Sequence, residues 1–178
     1  QWKFPWSYDG AFTAIADGGS MHLTSIQLGR MFKIALDVNG NRTGYKRFDP
    51  IGGSGYSFIH PWAMDPVDNG IVYLPIGNKL WTNNMVDELP IDNGADSIST
   101  GWTQSAFSFV GSGSAVGVST ANPPHRVYAG TSGGNCYRID SAHTSNPIFT
   151  NVTNFLNGTG NLNCIAVDPE NGDHAIAI

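Results

Sequence analysis

VGVSTANPPHRVYAGTSGGNCYRID, residues 116–140, strings three short apolar segments along two turns of different chemistry. Val116-Gly117-Val118 gives way to a turn of Ser, Thr, Asn and Pro. Val127-Tyr128-Ala129 follows, and Gly133-Gly134 then leads into Cys136-Tyr137. β-branched and aromatic residues suit strands; Pro and Asn suit turns; a Gly-rich pair suits the tight turn of a hairpin. The unit recurs. TAIADGGSMHLTS from Thr13, WAMDPVDNGIVYLP from Trp62 and IAVDPENGDHAIAI from Ile165 carry the same strand–turn–strand plan. With Ile15, Met64, Val118 and Val167 as equivalents, the spacings are 49, 54 and 49 residues. Asp65-Pro66 and Asp168-Pro169 fall at one register, where the Asp side chain caps a turn and Pro sets φ.

A third strand is expected after each of Gly29, Gly77 and Gly134, and a fourth at residues 42–48, 101–107 and 148–153. Residues 85–100, which carry Pro90, Gly94 and several acids, form an insertion that accounts for the longer step. Four antiparallel strands in every ~50 residues is the pattern of a β-propeller. The expected fold is therefore all-β, about three and a half four-stranded blades of a larger propeller. The repeats run over approximately 11–54, 55–107, 108–160 and an incomplete 161–178, with residues 1–6 ending an outer strand of a preceding blade. An open propeller leaves sheet faces bare, so the remaining blades are expected from the same or another chain.

Composition narrows the function classes. The formal charge is −5 and no run of Lys or Arg exists, so a phosphate-tracking surface for nucleic acid is not expected. No apolar stretch reaches the ~18 residues of a membrane helix, so no membrane insertion is expected. The sequons at Asn41, Asn151 and Asn157 point to an extracellular address. Cys136 opens a third strand and Cys164 the next first strand. Packed sheets lie about 10 Å apart, beyond the reach of a disulfide, so free thiols are expected.

The stretch around NPPHRVYAGTSGGNCYRID resembles blades of secreted bacterial propellers of the sialidase-repeat and sortilin-like superfamily. CIAVDPENGDHAIAI and PWAMDPVDNGIVYLP are similar to the openings of other such blades, and DGAFTAIADGG with SIQLGRMFKI looks like a divergent one. The Asp-box of those families has lost its register and Trp here, leaving Asp37-Val38-Asn39-Gly40-Asn41. Asp96-Ser97-Ile98 and Asp140-Ser141-Ala142 resemble the O-glycosylation motif of the Bacteroidota, which adds Ser97 and Ser141 as modification candidates. The resemblance implies a secreted or cell-surface protein.

In such blades the first strands line a central channel, and their starts share a rim with the loops between second and third strands. Ala11, His60, Ser114 and Asn163 are equivalent by register, with Trp62 just inside. Gln27, Arg30, Asn78, Lys79, Ser132 and Asn135 come from the second set of loops. The ligand-binding candidates are accordingly His60, Trp62, Asn78, Lys79, Ser114, Ser132, Asn135 and Asn163, a polar set suited to a glycan or protein partner.

Catalysis is not expected within these residues. A glycoside hydrolase needs two carboxylates flanking the bond, and Asp65 and Asp168 are accounted for as turn caps. A sialidase needs a Tyr nucleophile and clustered arginines, and the arginines here are scattered over different strand positions. The alternative is a secreted glycoside hydrolase whose carboxylates lie outside this chain. No cofactor or metal site is expected: the loop at residues 37–41 lacks the spaced carboxylates of a calcium site, and the five histidines show no ligand spacing.

Overall fold

The computed structural model describes residues 6–155 and 160–178. Asn157 and residues 1–5 of the expected N-terminal strand lie outside the described residues. The described residues are all-β and form four antiparallel sheets in sequence order. The first contains β1 (Gly10–Ile15), β2 (His22–Ile26), β3 (Arg30–Leu36) and β4 (Arg42–Arg47). The second contains β5 (Ala63–Met64), β6 (Val72–Ile76), β7 (Lys79–Asn83) and β8 (Trp102–Gln104). The third contains β9 (Gly113–Val118), β10 (Val127–Thr131), β11 (Cys136–Asp140) and β12 (Ile148–Asn151), and the fourth pairs β13 (Ile165–Val167) with β14 (Ala175–Ala177). Within each sheet the strands are neighbours in chain order. Ile15, Met64, Val118 and Val167 each end the first strand of their sheet. The β2–β3, β6–β7 and β10–β11 turns hold Gly29, Gly77 and Gly134 at φ +70°, +52° and +77°, a region that costs glycine nothing.

The sheets pack face to face in series. β6 sends Val72, Leu74 and Ile76 to a core shared with Leu23, Met31 and Phe48 of the first sheet's side. Its alternate residue, Tyr73, joins Val127, Ala129, Tyr137 and Ile139 of the third sheet. Tyr128, the β10 residue between Val127 and Ala129, turns the other way, towards Leu162 and Ile165. A strand alternates its side chains between two faces, so β6 and β10, apolar except for the closing Thr131 of β10 and buried throughout, belong to sheets covered on both sides. The third and fourth sheets approach closely because β9 carries Gly117: a Cβ there would meet the Ile165 side chain and main chain at 3.0 Å.

Local turn chemistry follows the expected pattern. Asp65 Oδ1 accepts the Val67 and Asp68 N–H groups at 2.8 and 3.1 Å, and Asp168 Oδ1 accepts those of Glu170 and Asn171 at 2.8 and 3.3 Å. Asp37 organises the β3–β4 turn through the N–H groups of Asn39 and Asn41, at 2.9 and 2.8 Å.

The insertion at residues 85–100 pairs with the outer edge of β4. Asn93 N–H donates to Tyr45 O at 2.8 Å, Arg47 N–H to Gly94 O at 2.9 Å, and Ile98 N–H to Asp49 O at 3.0 Å. This satisfies an edge that would otherwise offer its backbone to another strand. Lys33 holds the start of the insertion, its Nζ donating to the carbonyls of Val86, Asp87 and Leu89 at 3.0, 2.7 and 2.9 Å.

Candidate functional site

Residues that open all four sheets meet at one cleft of about 460 Å³. Phe12 comes from β1, and Ser57, Ile59 and Pro61 from the segment leading into β5. Ser114 comes from the start of β9, Ser132 from the β10–β11 turn, and Asn161 and Asn163 from the segment leading into β13. The volume lies within the roughly 300–1,000 Å³ common for ligand pockets. Among the described residues that line it, none is charged.

The walls are tied together by hydrogen bonds. Ser114 Oγ donates to Leu162 O at 2.6 Å, and Ser132 Oγ accepts the Ser112 N–H at 3.3 Å. Asn161 and Asn163 join through Nδ2 and Oδ1 at 2.5 Å. Ser132 N–H to Ser112 O, at 2.8 Å, and Leu162 N–H to Thr131 O, at 3.2 Å, set the spacing of the loops. Ser57, Ser112 and Ser132 are exposed, as are parts of the Phe12 and Ile59 side chains, at 40% and 43%. The cleft thus presents hydroxyl and amide groups beside apolar surface.

Of the expected ligand-binding residues, Ser114, Ser132 and Asn163 line the cleft. His60 and Trp62 do not. His60 is buried, with Ser57 N–H donating to Nδ1 at 3.0 Å and Nε2 against Pro75 O at 2.8 Å. Burial pulls its pKa down to about 4, with the Pro75 bond opposing. Both ring nitrogens are used by one neutral tautomer, a donor at Nε2 and an acceptor at Nδ1. Trp62 is buried in the core between the first two sheets, its Nε1–H donating to Ser25 Oγ at 2.8 Å.

Asn78, Lys79 and Asn135 seat the linker between β8 and β9. Asn78 O accepts the Phe109 N–H at 2.7 Å, Lys79 Nζ donates to Ala106 O at 2.8 Å, and Asn135 Nδ2 donates to Val110 O at 3.2 Å. Phe12 and Ile59 lie one position from the expected Ala11 and His60, and Ser57 lies three positions before His60. The register of β1 shifts between Gly10 and Thr13, and such an irregularity exchanges the faces of neighbouring side chains. Ala11 therefore yields its place to Phe12.

The arginines are less scattered than their spacing suggests. Cross-strand register pairs Phe32 with Arg47, Ile34 with Tyr45 and Leu36 with Arg42. Arg30, expected on the rim, instead shares a second cleft with Arg42 and Arg47 on the first sheet.

Among the modification candidates, Asn41, Asn151 and Ser141 are exposed. Ser97 is partly buried, and its Oγ donates to Asp49 Oδ2 at 2.8 Å. Cys136 is a buried free thiol and Cys164 an exposed one. Among the described residues, no three His, Cys, Asp or Glu side chains converge as a metal site would need, and no helix is long and apolar enough to cross a membrane. No protein-family model matches the chain, and no curated protein proves similar to it.

Proposed function

We propose that this chain is part of a β-propeller in a secreted or cell-surface protein, and that the cleft at the openings of its sheets binds a neutral glycan. One observation carries the reading: segments leading into all four sheets contribute to a single uncharged cleft, as radial repetition of blades around an axis requires. The serial face-to-face packing of the sheets supports the same arrangement. Hydroxyl and amide groups can exchange hydrogen bonds with sugar hydroxyls, while Phe12 and Ile59 offer apolar surface to ring C–H groups. A role in binding accords with a lining that has no carboxylate to serve as acid, base or nucleophile.

A neutral-glycan array read with the chain and with its Ser132→Ala and Asn163→Ala variants tests the reading. Binding to neutral oligosaccharides that both variants weaken is expected. Silence across the array, with recognition of a protein partner through the same residues, replaces the glycan with a protein ligand. Turnover of a chromogenic glycoside by the chain overturns the binding role.

A further inference from the structure

The second cleft, of about 640 Å³, lies on the face of the first sheet opposite the core it shares with the second. Three of the chain's five arginines, Arg30, Arg42 and Arg47, line it, in a protein with a formal charge of −5. No Asp or Glu is among its lining residues.

The three are not equivalent. Arg47 is neutralised by Asp49, with Nε to Oδ1 at 2.7 Å and Nη2 to Oδ2 at 3.0 Å. Arg30 and Arg42 have no ion-pair partner among the described residues, whereas Arg126 and Arg138 elsewhere both pair with Asp140. The Arg42 guanidinium carbon sits 4.4 Å from the Trp6 ring centroid and 5.6 Å from that of Tyr45. Stacking engages the face of a guanidinium and leaves its in-plane N–H groups for an acceptor. Trp6 is itself held against Phe32 and Tyr45, at centroid distances of 4.4 and 5.2 Å. Its buried indole N–H has no acceptor among the described residues. Unpaired guanidiniums gathered in one cleft repel one another, and an anion between them removes that cost. Guanidinium forks match planar or tetrahedral oxyanions.

We propose that this cleft binds a ligand carrying a carboxylate, sulfate or phosphate on a ring-shaped body. Arg30 and Arg42 supply the charge partners, Trp6 and Tyr45 form the aromatic wall, and Arg47 is a positioning residue held by Asp49. The site is separate from the neutral cleft; it lies on the face that a neighbouring blade would cover, so it requires that face to be open in the assembled protein.

Calorimetric titration at fixed ionic strength with phenyl phosphate, phenyl sulfate and benzoate, against inorganic phosphate and neutral phenyl glucoside, tests the proposal. Saturable binding of the charged aryl probes is expected, inorganic phosphate binding more weakly and the glucoside not at all. Arg30→Gln and Arg42→Gln should each weaken it by about tenfold or more, Arg42→Lys by less than Arg42→Gln, and Ser132→Ala should leave it unchanged. Unaltered circular dichroism and melting would establish that these exposed positions keep the fold. No saturation by tens of millimolar probe, or equal affinity in the double Arg30→Gln/Arg42→Gln variant, overturns the proposal. So does a dimer in sedimentation that Arg42→Gln dissociates, since a second copy would then be the occupant of this face.

Discussion

His125 Nδ1 lies 2.9 Å from Asp65 Oδ2, across 60 residues of sequence and between the second and third sheets. The same carboxylate oxygen accepts the Tyr73 hydroxyl at 2.8 Å, and its partner oxygen caps the turn at Val67 and Asp68. Asp65 is completely buried, so a residue that reads as a local turn cap also joins two sheets. The His125 ring packs against His143, with centroids 4.0 Å apart.

Asp65→Ala is therefore expected to cost about 3 kcal/mol, from a lost cap and an unpaired buried phenol. His125→Ala, at a partly exposed position, should cost about 1 kcal/mol. Urea unfolding of both variants checks the order; equal costs would show that Asp65 acts only through His125.

His60 makes stability depend on pH. Its pKa is about 4 in the folded protein against 6.5 in the unfolded chain, because burial disfavours the imidazolium. The unfolded state takes up the proton first as pH falls, so this contribution is intact above 6.5, declines between 6.5 and about 4, and is flat below. The full loss is about 3 kcal/mol. His143, also shifted down by burial and by its neighbour His125, adds in the same direction. Unfolding free energies from pH 7.5 to 4, with a His60→Gln variant showing a shallower slope, are the measurement.

The two thiols should separate kinetically. Burial pushes the Cys136 pKa up to about 11, and the thiolate is the reactive form, whereas Cys164 is exposed. One equivalent should react promptly with a disulfide reagent at pH 8, and the second only on unfolding. Prompt reaction of both, or a linked species in non-reducing mass spectrometry, would contradict the structure.

Lys33→Met removes a cation that serves three carbonyls of the insertion. The expected cost is about 2 kcal/mol, with amide exchange accelerated more in residues 85–100 and in β4 than in β10. A uniform acceleration would mean that the insertion does not guard the β4 edge.

Much of the architecture was legible in the chain. Asp before Pro caps a turn through atoms two or three residues away, Gly29, Gly77 and Gly134 answer a local demand for positive φ, and period-two apolar strands need no distant partner to be recognised. The lining of the cleft was legible only in part. Ser114, Ser132 and Asn163 were placed by register, whereas a shift of one residue in β1 put Phe12 where Ala11 was expected. His60 and Trp62, polar at one end and apolar at the other, suit a buried bond or a ligand equally well until their neighbours are known.

Sequence alone thus determined the repeating strands, their turns and the length of each unit, because those follow from backbone preferences over a few residues. Tertiary packing decided which side chains meet. Cross-strand register gathered Arg42 and Arg47 beside Arg30, and face-to-face stacking of sheets brought His125 to Asp65. Such encounters depend on how separate sheets are positioned in space, which no spacing along the chain encodes.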